Sequence, residues 1–169
     1  GEAAQEVAAS LGERSLAVTC NVAEDAHLQN LAAATLAHFG RIDGLVNNAG
    51  VNFVKPFLET TPADWERLIS AGLRAVFFLS QLVCRQMLQQ TPRGGTIVNI
   101  SSVHSMLAYP GAGPYDAAKW GVVGLSKAIA LEMATQGIRV NVISPGLINT
   151  HIWRDLLDAA SDAEAVRAH

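Results

Sequence analysis

The sequence is poor in charged residues, cysteines and clustered histidines, and each shortage excludes a class of protein. Only 16% of its 169 residues are charged and the net charge is −3, so it lacks the basic surface that binding to nucleic acid requires. The two cysteines, Cys20 and Cys84, are far apart in the sequence; they predict no disulfide framework and suit a reducing cytoplasm. The five histidines are scattered without the spacing of metal ligands, so we expect no metal site.

Long apolar runs are missing as well. The richest run, AVFFLSQLVC from Ala75, is far shorter than the ~20 residues that a membrane span needs. Half of all residues are nevertheless apolar, which predicts a globular domain with a buried core. No repeat, low-complexity tract or linker divides the sequence. We therefore expect one domain over residues 1–169, located in the cytoplasm, with no membrane or nucleic acid as partner.

Short apolar segments alternate with longer amphipathic ones. The pattern predicts helices over 2–11, 23–39, 62–90 and 114–136, and strands over 16–22, 43–48, 94–102 and 138–146. Gly12 and Gly137 are expected to end two of the helices, and Thr61 before Pro62 to begin a third. Such alternation implies right-handed βαβ units, and hence an α/β fold with a parallel sheet covered by helices on both faces.

Each predicted strand ends in a polar or glycine-bearing turn. The four turns are CNV at 20–22, NNAG at 47–50, NISS at 99–102 and SPG at 144–146. Any one of them is a weak signal, because Asn, Gly and Ser are common in turns generally. Ligands of doubly wound sheets bind outside the carboxyl ends of the strands. Four such turns along one edge therefore predict a single binding crevice.

Three side chains near this edge could together manage a proton. Tyr115 and Lys119 stand one helical turn apart, so both lie on one helix face, although this spacing also arises by chance. Ser102 ends the preceding strand, and the loop between it and Tyr115 is long enough to fold back. A nearby ammonium favours the phenolate and lowers the pKa of a tyrosine, while a serine hydroxyl can donate to a carbonyl or alkoxide oxygen. The trio suits proton transfer to or from an alcohol or carbonyl oxygen.

The sequence resembles the short-chain dehydrogenase/reductase superfamily, in its compact form, over essentially all 169 residues. The matching motifs are NNAG at 47–50, GGTIVNISS at 94–102, PYDAAKWGVVGLSKAIALE at 114–132 and GIRVNVISPGLINT at 137–150. The resemblance implies a doubly wound Rossmann fold, NAD or NADP as cofactor, and interconversion of a secondary alcohol and a ketone. It also implies a homotetramer or homodimer built on the helices at 62–90 and 114–136.

The resemblance assigns roles to individual residues. Tyr115 would be the general acid/base, Ser102 would polarise the substrate oxygen, and Lys119 would lower the pKa of Tyr115 and bind the nicotinamide ribose. Asn21 and Val22 match the turn that touches the adenine, where many members have Asp-Val. The remaining cofactor-binding positions implied by the family are Asn47, Asn48, Ala49 and Gly50 after one strand, and Pro145, Gly146, Ile148 and Thr150 after another.

The sequence departs from the family pattern at two places. Gly72 stands where the family usually has an asparagine that anchors a water of the proton relay. Either an extra water replaces the amide, or the glycine permits close helix packing, or it marks a member with weakened turnover. The Gly-rich loop that cradles the pyrophosphate is absent, as are the first two strands and the last. Because the first strand would lie between 16–22 and 43–48, we expect the sequence to be a segment of a longer natural chain.

Several smaller features stay open at this level. His104 either faces substrate or, as the preferred interpretation, is a solvated loop histidine. Trp153, next to Ile152, belongs either to a substrate lid or to ordinary helix packing. Gly121 and Gly124 allow close approach either between subunits or within one. The substrate and the choice between NAD and NADP are not readable, and the alternative to an enzyme is a catalytically silent nucleotide-binding or oligomerisation module.

Overall fold

The computed structural model describes residues 2–148. Its helices are α1 (Glu2–Leu11), α2 (Asp25–Phe39), α3 (Pro62–Ile69), α4 (Ala75–Gln89) and α5 (Gly113–Met133), and its strands are β1 (Gly44–Asn47), β2 (Gly95–Ile100) and β3 (Ile138–Ile143). Short 3₁₀ turns cover 12–14, 57–59, 103–105 and 134–136, and Ser70–Arg74 form a π-helical turn between α3 and α4. The predicted helices at 2–11, 23–39 and 114–136 are confirmed to within two or three residues, whereas the single helix predicted over 62–90 is divided by the π-helical turn.

Local signals explain where the helices begin and end. The Thr61 side chain accepts a hydrogen bond from the Asp64 backbone N–H while the Asp64 carboxylate accepts one from the Thr61 N–H, which is a complete capping box. Gly40 after α2 and Gly137 before β3 have φ of 76° and 78°. Glycine adopts this left-handed conformation without the steric cost other residues meet, so both residues end their helices cleanly.

The sheet is parallel, as predicted, with strand order β1-β2-β3. Leu45 lies opposite Ile97, and Ile97 lies opposite Val140. One face carries the buried side chains of Ile97 and Ile138, whereas Val46 and Ile143 on the other face are more than half exposed. Within residues 2–148 the helices therefore cover one face of the sheet and not both, because α2, α4 and α5 all pack on the face that Ile97 shares.

The hydrophobic core lies between these helices and the covered face. Its buried members come from both layers and are Leu28, Ile42, Leu79, Val83, Cys84, Met87, Ile97 and Ile138. Fully burying a side chain of this size stabilises the folded state by about 1.5–3 kcal/mol.

The continuous stretch Pro62–Gln89 is long and apolar enough to cross a membrane by composition, but half of its most apolar window is buried in the domain. A core helix of a soluble domain has the same properties.

The prediction of a strand over 16–22 is wrong. Residues 15–21 form no regular secondary structure and join no ladder, since no described strand pairs with their backbone groups. Cys20 and Val22 still pack against the core. An apolar groove of about 140 Å³ lies between α2, α4 and β1. It is lined by Leu31, Ala32, Thr35, Ile42, Gly44, Leu45, Leu79 and Val83.

Candidate active site

Ser102, Tyr115 and Lys119 come together beyond the carboxyl end of β2. Ser102 follows the strand directly and begins the 3₁₀ turn at 103–105, where its hydroxyl accepts a hydrogen bond from His104 N at 3.2 Å. Lys119 reaches back from α5, and its Nζ donates to the Ile100 carbonyl at 2.9 Å. The same ammonium lies 5.5 Å from the centre of the Tyr115 ring, close enough for a cation–π attraction.

The surroundings of Lys119 and Tyr115 shift both acid–base equilibria. Lys119 is buried, and burial lowers the pKa of its ammonium. Burial also raises the pKa of the Tyr115 phenol; hydrogen bonding from Ser102 lowers it, and the negative charge of Asp116 raises it again. This direction is opposite to the one that the sequence predicts from Lys119. It arises because burial removes the hydration that a phenolate needs, and this effect on the pKa outweighs the hydrogen bond from Ser102.

His104 is not the solvated loop histidine that we preferred from the sequence. Its Nδ1 lies 2.5 Å from Oδ1 of Asp116, and its side chain is only 20% exposed. The second Asp116 oxygen accepts a hydrogen bond from Tyr109 N at 3.0 Å. This pair went unnoticed in the sequence, where the one available signal is an acidic residue in the first turn of the helix that carries Tyr115.

In the NNAG turn, Asn47 is buried in the domain, whereas residues 48–50 are exposed. Asn47 is buried, and its Nδ2 donates to Asn99 Oδ1 at 2.7 Å and to Ser80 Oγ at 3.1 Å. Asn99 donates in turn to Ser126 Oγ at 2.8 Å, so the network ties β1 and β2 to α4 and α5. Residues 48–50 are exposed at the end of β1 and remain accessible to a ligand.

The other predicted cofactor residues lie at the ends of neighbouring segments. Asn21 is exposed; its Oδ1 accepts from Ala23 N and its own N–H donates to His27 Nδ1. After β3, Pro145 accepts a hydrogen bond from Val103 N at 2.9 Å, which holds its loop beside Ser102. Gly146 and Ile148 are exposed in that loop. Thr150, Ile152 and Trp153 lie outside the described residues.

Gly72 packs closely against the helix that carries the site. It is buried in the π-helical turn, and a Cβ at this position would lie 3.3 Å from the Ala118 Cβ on α5. One turn further along α5, a Cβ at Gly121 would lie 2.8 Å from Leu73 Cδ2. The glycines at 72 and 121 thus serve close helix packing within one chain. A Cβ at Gly124 would meet no atom within 4 Å.

The side chains of the site fit a nicotinamide dinucleotide. Within the described residues, the Lys119 ammonium uses one of its three donors, on Ile100 O. Asn52, shortly after the NNAG turn, has a buried Oδ1 without a hydrogen-bond partner, and an unpaired buried acceptor costs about 1–3 kcal/mol. The remaining donors of Lys119 suit the hydroxyl oxygens of a ribose, and the Asn52 oxygen suits a ligand group that carries an N–H or O–H.

Comparisons with known proteins agree with this geometry. A family model described as short chain dehydrogenase matches residues 1–161. A 3-oxoacyl-[acyl-carrier-protein] reductase of Synechocystis sp. is 40% identical over 151 residues, which make up 89% of this chain and 60% of that protein. The (2S)-[(R)-hydroxy(phenyl)methyl]succinyl-CoA dehydrogenase subunit BbsD of Thauera aromatica is 38% identical over 145 residues, covering 86% and 57%.

A solved structure gives the same result in three dimensions. The 3-ketoacyl-(acyl-carrier-protein) reductase from Brucella melitensis, complexed with NADH, matches with a TM-score of 0.85 at 27% identity, over 89% of this chain and 63% of that one. A parallel sheet with polar turns at its strand ends is typical of a Rossmann-type domain. The chain belongs to the short-chain dehydrogenase/reductase family. It spans about 60% of the length of the curated relatives it matches.

Proposed function

We propose that the protein is an NAD(P)-dependent oxidoreductase that interconverts a secondary alcohol and a ketone, with Tyr115 as general acid/base. The observation that carries the proposal is the convergence of the Ser102 hydroxyl, the Tyr115 phenol and the Lys119 ammonium beyond the end of β2. A catalytically silent module has no need of a buried ammonium beside a phenol, since burying a charge costs free energy.

The raised pKa of Tyr115 favours catalysis in the direction of ketone reduction at neutral pH. A phenol that holds its proton can donate it to the carbonyl oxygen as that oxygen gains negative charge. Ser102, at the same strand end, would donate a hydrogen bond to the same oxygen. Oxidation needs the phenolate instead, so its rate should rise with pH across the range in which reduction declines.

The cofactor would be NAD or NADP, and when bound its nicotinamide would supply or accept the hydride. Lys119 would hold the adjacent ribose, while the exposed segments at 48–50 and 145–148 would line its path across the strand ends. Asn21 and Val22 would lie at the adenine. These residues bind and orient the cofactor, whereas proton handling belongs to Tyr115 and Ser102.

The names of the relatives suggest the first substrates to test. One acts on 3-oxoacyl groups carried by acyl carrier protein and another on a hydroxyacyl-CoA, so we propose a 3-oxoacyl thioester as the substrate class. We further propose a soluble cytoplasmic enzyme that works as a homotetramer or homodimer.

The direct test is NADH or NADPH oxidation by the purified protein with short 3-oxoacyl thioesters and simple ketones. We expect carbonyl-dependent oxidation of one cofactor, and a loss of kcat in Ser102→Ala of about 10²-fold or more, the usual cost of removing a donor to a developing oxyanion. Ser10→Ala, at an exposed position on α1, is the control and should keep wild-type kcat. Cofactor binding without turnover of any carbonyl would favour the silent module instead.

A further inference from the structure

His104 and Asp116 form a hydrogen-bonded pair next to the proposed acid/base. His104 lies two residues after Ser102, and Asp116 directly follows Tyr115, so the 2.5 Å contact between Nδ1 and Oδ1 links the loop after β2 to the first turn of α5. Both side chains are mostly buried, at 20% and 12% exposure. The bond is therefore shielded from water and stronger than a surface ion pair.

The His104 ring also packs against the ring of Tyr115. The His104 and Tyr115 rings are 5.1 Å apart between centroids and nearly perpendicular, at 85°, which is a favourable edge-to-face arrangement. On its other side the His104 ring packs on Tyr109 at 4.3 Å. The backbone N–H of Tyr109 donates to the free oxygen of Asp116, which closes the cluster.

We propose that His104 and Asp116 are positioning residues that fix the Tyr115 ring and set the charge beside its phenol. The proposal rests on the proposed function, in which Tyr115 moves the proton. Asp116 holds the His104 imidazole through Nδ1, and the imidazole in turn fixes the orientation of the tyrosine ring. Because catalysis depends on near-attack geometry, a ring free to tilt would lose rate.

The charges that face Tyr115 come from two elements. From α5 these are the Asp116 carboxylate and the Lys119 ammonium, and from the loop after β2 there is the ionisable His104. The Ser102 hydroxyl adds a hydrogen bond to the phenol from the same loop. Among these groups, Asp116 is the one whose negative charge opposes ionisation of the phenol. Removing that charge should therefore let Tyr115 ionise at lower pH.

Four variants separate the two contacts of the pair. His104→Asn keeps an N–H donor near the position of Nδ1 but removes the ring, and His104→Phe keeps the ring but removes the donor. His104→Ala removes both, and Asp116→Asn keeps the side-chain shape while removing the charge. His38→Ala, at an exposed histidine on α2 that packs edge-on against Phe39, is the matched control.

Two measurements on the full chain test the proposal. Steady-state kinetics should show kcat lowered about tenfold or more in His104→Ala, which is part of the 10²–10⁴-fold that general acid–base catalysis contributes. The kcat values of His104→Asn and His104→Phe should lie between those of His104→Ala and wild type. In all three variants KM should change less than kcat. Carbon-13 NMR of labelled tyrosine follows Tyr115 without turnover, since the sequence has only two tyrosines. The Tyr115 resonance should shift in His104→Ala, and in Asp116→Asn its titration should begin at lower pH than in the wild type.

The two readouts keep this proposal separate from the proposed function. If the wild type reduces no carbonyl, the proposed function is wrong, while the NMR comparison still tests the pair. A Tyr115 resonance that coincides with wild type in all four variants over the folded pH range would overturn the proposal. So would a titration of Tyr115 in Asp116→Asn that moves to higher pH, or an unchanged kcat in an active enzyme carrying His104→Ala.

Discussion

At the scale of single residues, the candidate site contains a buried lysine, Lys119, which is the cation beside the Tyr115 ring. Lys119 sits on the buried side of α5, with Ala118 and Val122 as buried neighbours, and its ammonium has one carbonyl partner among the described residues. Desolvation of an ammonium costs free energy that such a contact offsets in part. The cost is consistent with a residue kept for chemistry rather than for stability.

This cost should be visible as a pH dependence of stability. Because burial lowers the pKa of Lys119 in the folded state, the unfolded chain binds that proton more tightly. The contribution of Lys119 to the free energy of unfolding therefore increases as pH rises through the folded pKa towards the unfolded value of about 10.4. Lys119→Met lacks this increase, so its stability relative to wild type should fall as the pH is raised from neutral towards about 10.

Chemical denaturation of both proteins across that pH range is the measurement. Lys127→Met, at an exposed position on the same helix, controls for the general effect of losing a lysine. A free energy of unfolding of Lys119→Met, taken relative to that of wild type, that stays constant or rises with pH would refute the electrostatic account of the site.

Sequence patterns made Ser102, Tyr115 and Lys119 candidates for the site but did not indicate the residues that surround them. The three stand at fixed spacings around a strand end and a helix start, which are local features. The His104–Asp116 contact depends on how the loop after β2 folds back onto α5, and no periodicity encodes that path. The direction of the Tyr115 pKa shift was also missed, because it depends on burial and on Asp116 rather than on the Tyr–Lys spacing.

At the scale of elements, α5 is shaped to fit the π-helical turn at Ser70–Arg74. Ala118 faces Gly72 and Gly121 faces Leu73, so small residues on each side allow the two elements to approach closely. This packing holds the helix that carries Tyr115 and Lys119 against the domain. A π-helical turn leaves no signature in the hydrophobic pattern, which is why the sequence predicted one uninterrupted helix over 62–90.

Two glycines of α5 should respond differently to substitution by alanine. Gly124→Ala adds a methyl group where no atom lies within 4 Å, so it should raise the free energy of unfolding by about 0.5–1 kcal/mol through helix propensity. Gly121→Ala places the methyl 2.8 Å from Leu73 Cδ2, and overpacking of this kind costs about 1–3 kcal/mol. Gly121→Ala should therefore be the less stable of the two variants.

Urea denaturation of both variants and of the wild type measures the difference. Equal stability would show that Leu73 moves aside without cost, and the packing role assigned to Gly121 would be wrong. A loss of stability in Gly124→Ala would mean instead that another surface packs on this glycine, and analytical ultracentrifugation would then show whether that surface is a second copy of the chain.

At the scale of the whole molecule, the helices and the parallel order of three strands followed from sequence because their signals are local. Glycines at helix ends, the Thr61–Pro62 start and apolar runs in the strands each specify one element. The strand at 16–22 failed because a strand is defined by its neighbours, and none of the described strands pairs with it. The prediction that helices cover both faces of the sheet was wrong for a similar reason. Which face a helix covers depends on how the helices pack together and not on the sequence of any one segment.

The family relationship and the strand-end geometry lead to one central claim, that Tyr115 moves the proton while a bound nicotinamide moves the hydride. Replacing Tyr115 by phenylalanine removes the phenolic oxygen and keeps the ring that contacts His104. Tyr109→Phe, which removes the other tyrosine hydroxyl of the chain, is the matched control.

The decisive measurement is kcat for carbonyl reduction together with the affinity for NADH or NADPH in wild type, Tyr115→Phe and Tyr109→Phe. We predict that Tyr115→Phe lowers kcat by about 10²-fold or more, as expected for loss of a general acid, while the cofactor affinity stays close to that of wild type. Turnover in Tyr115→Phe equal to that of wild type would contradict the claim.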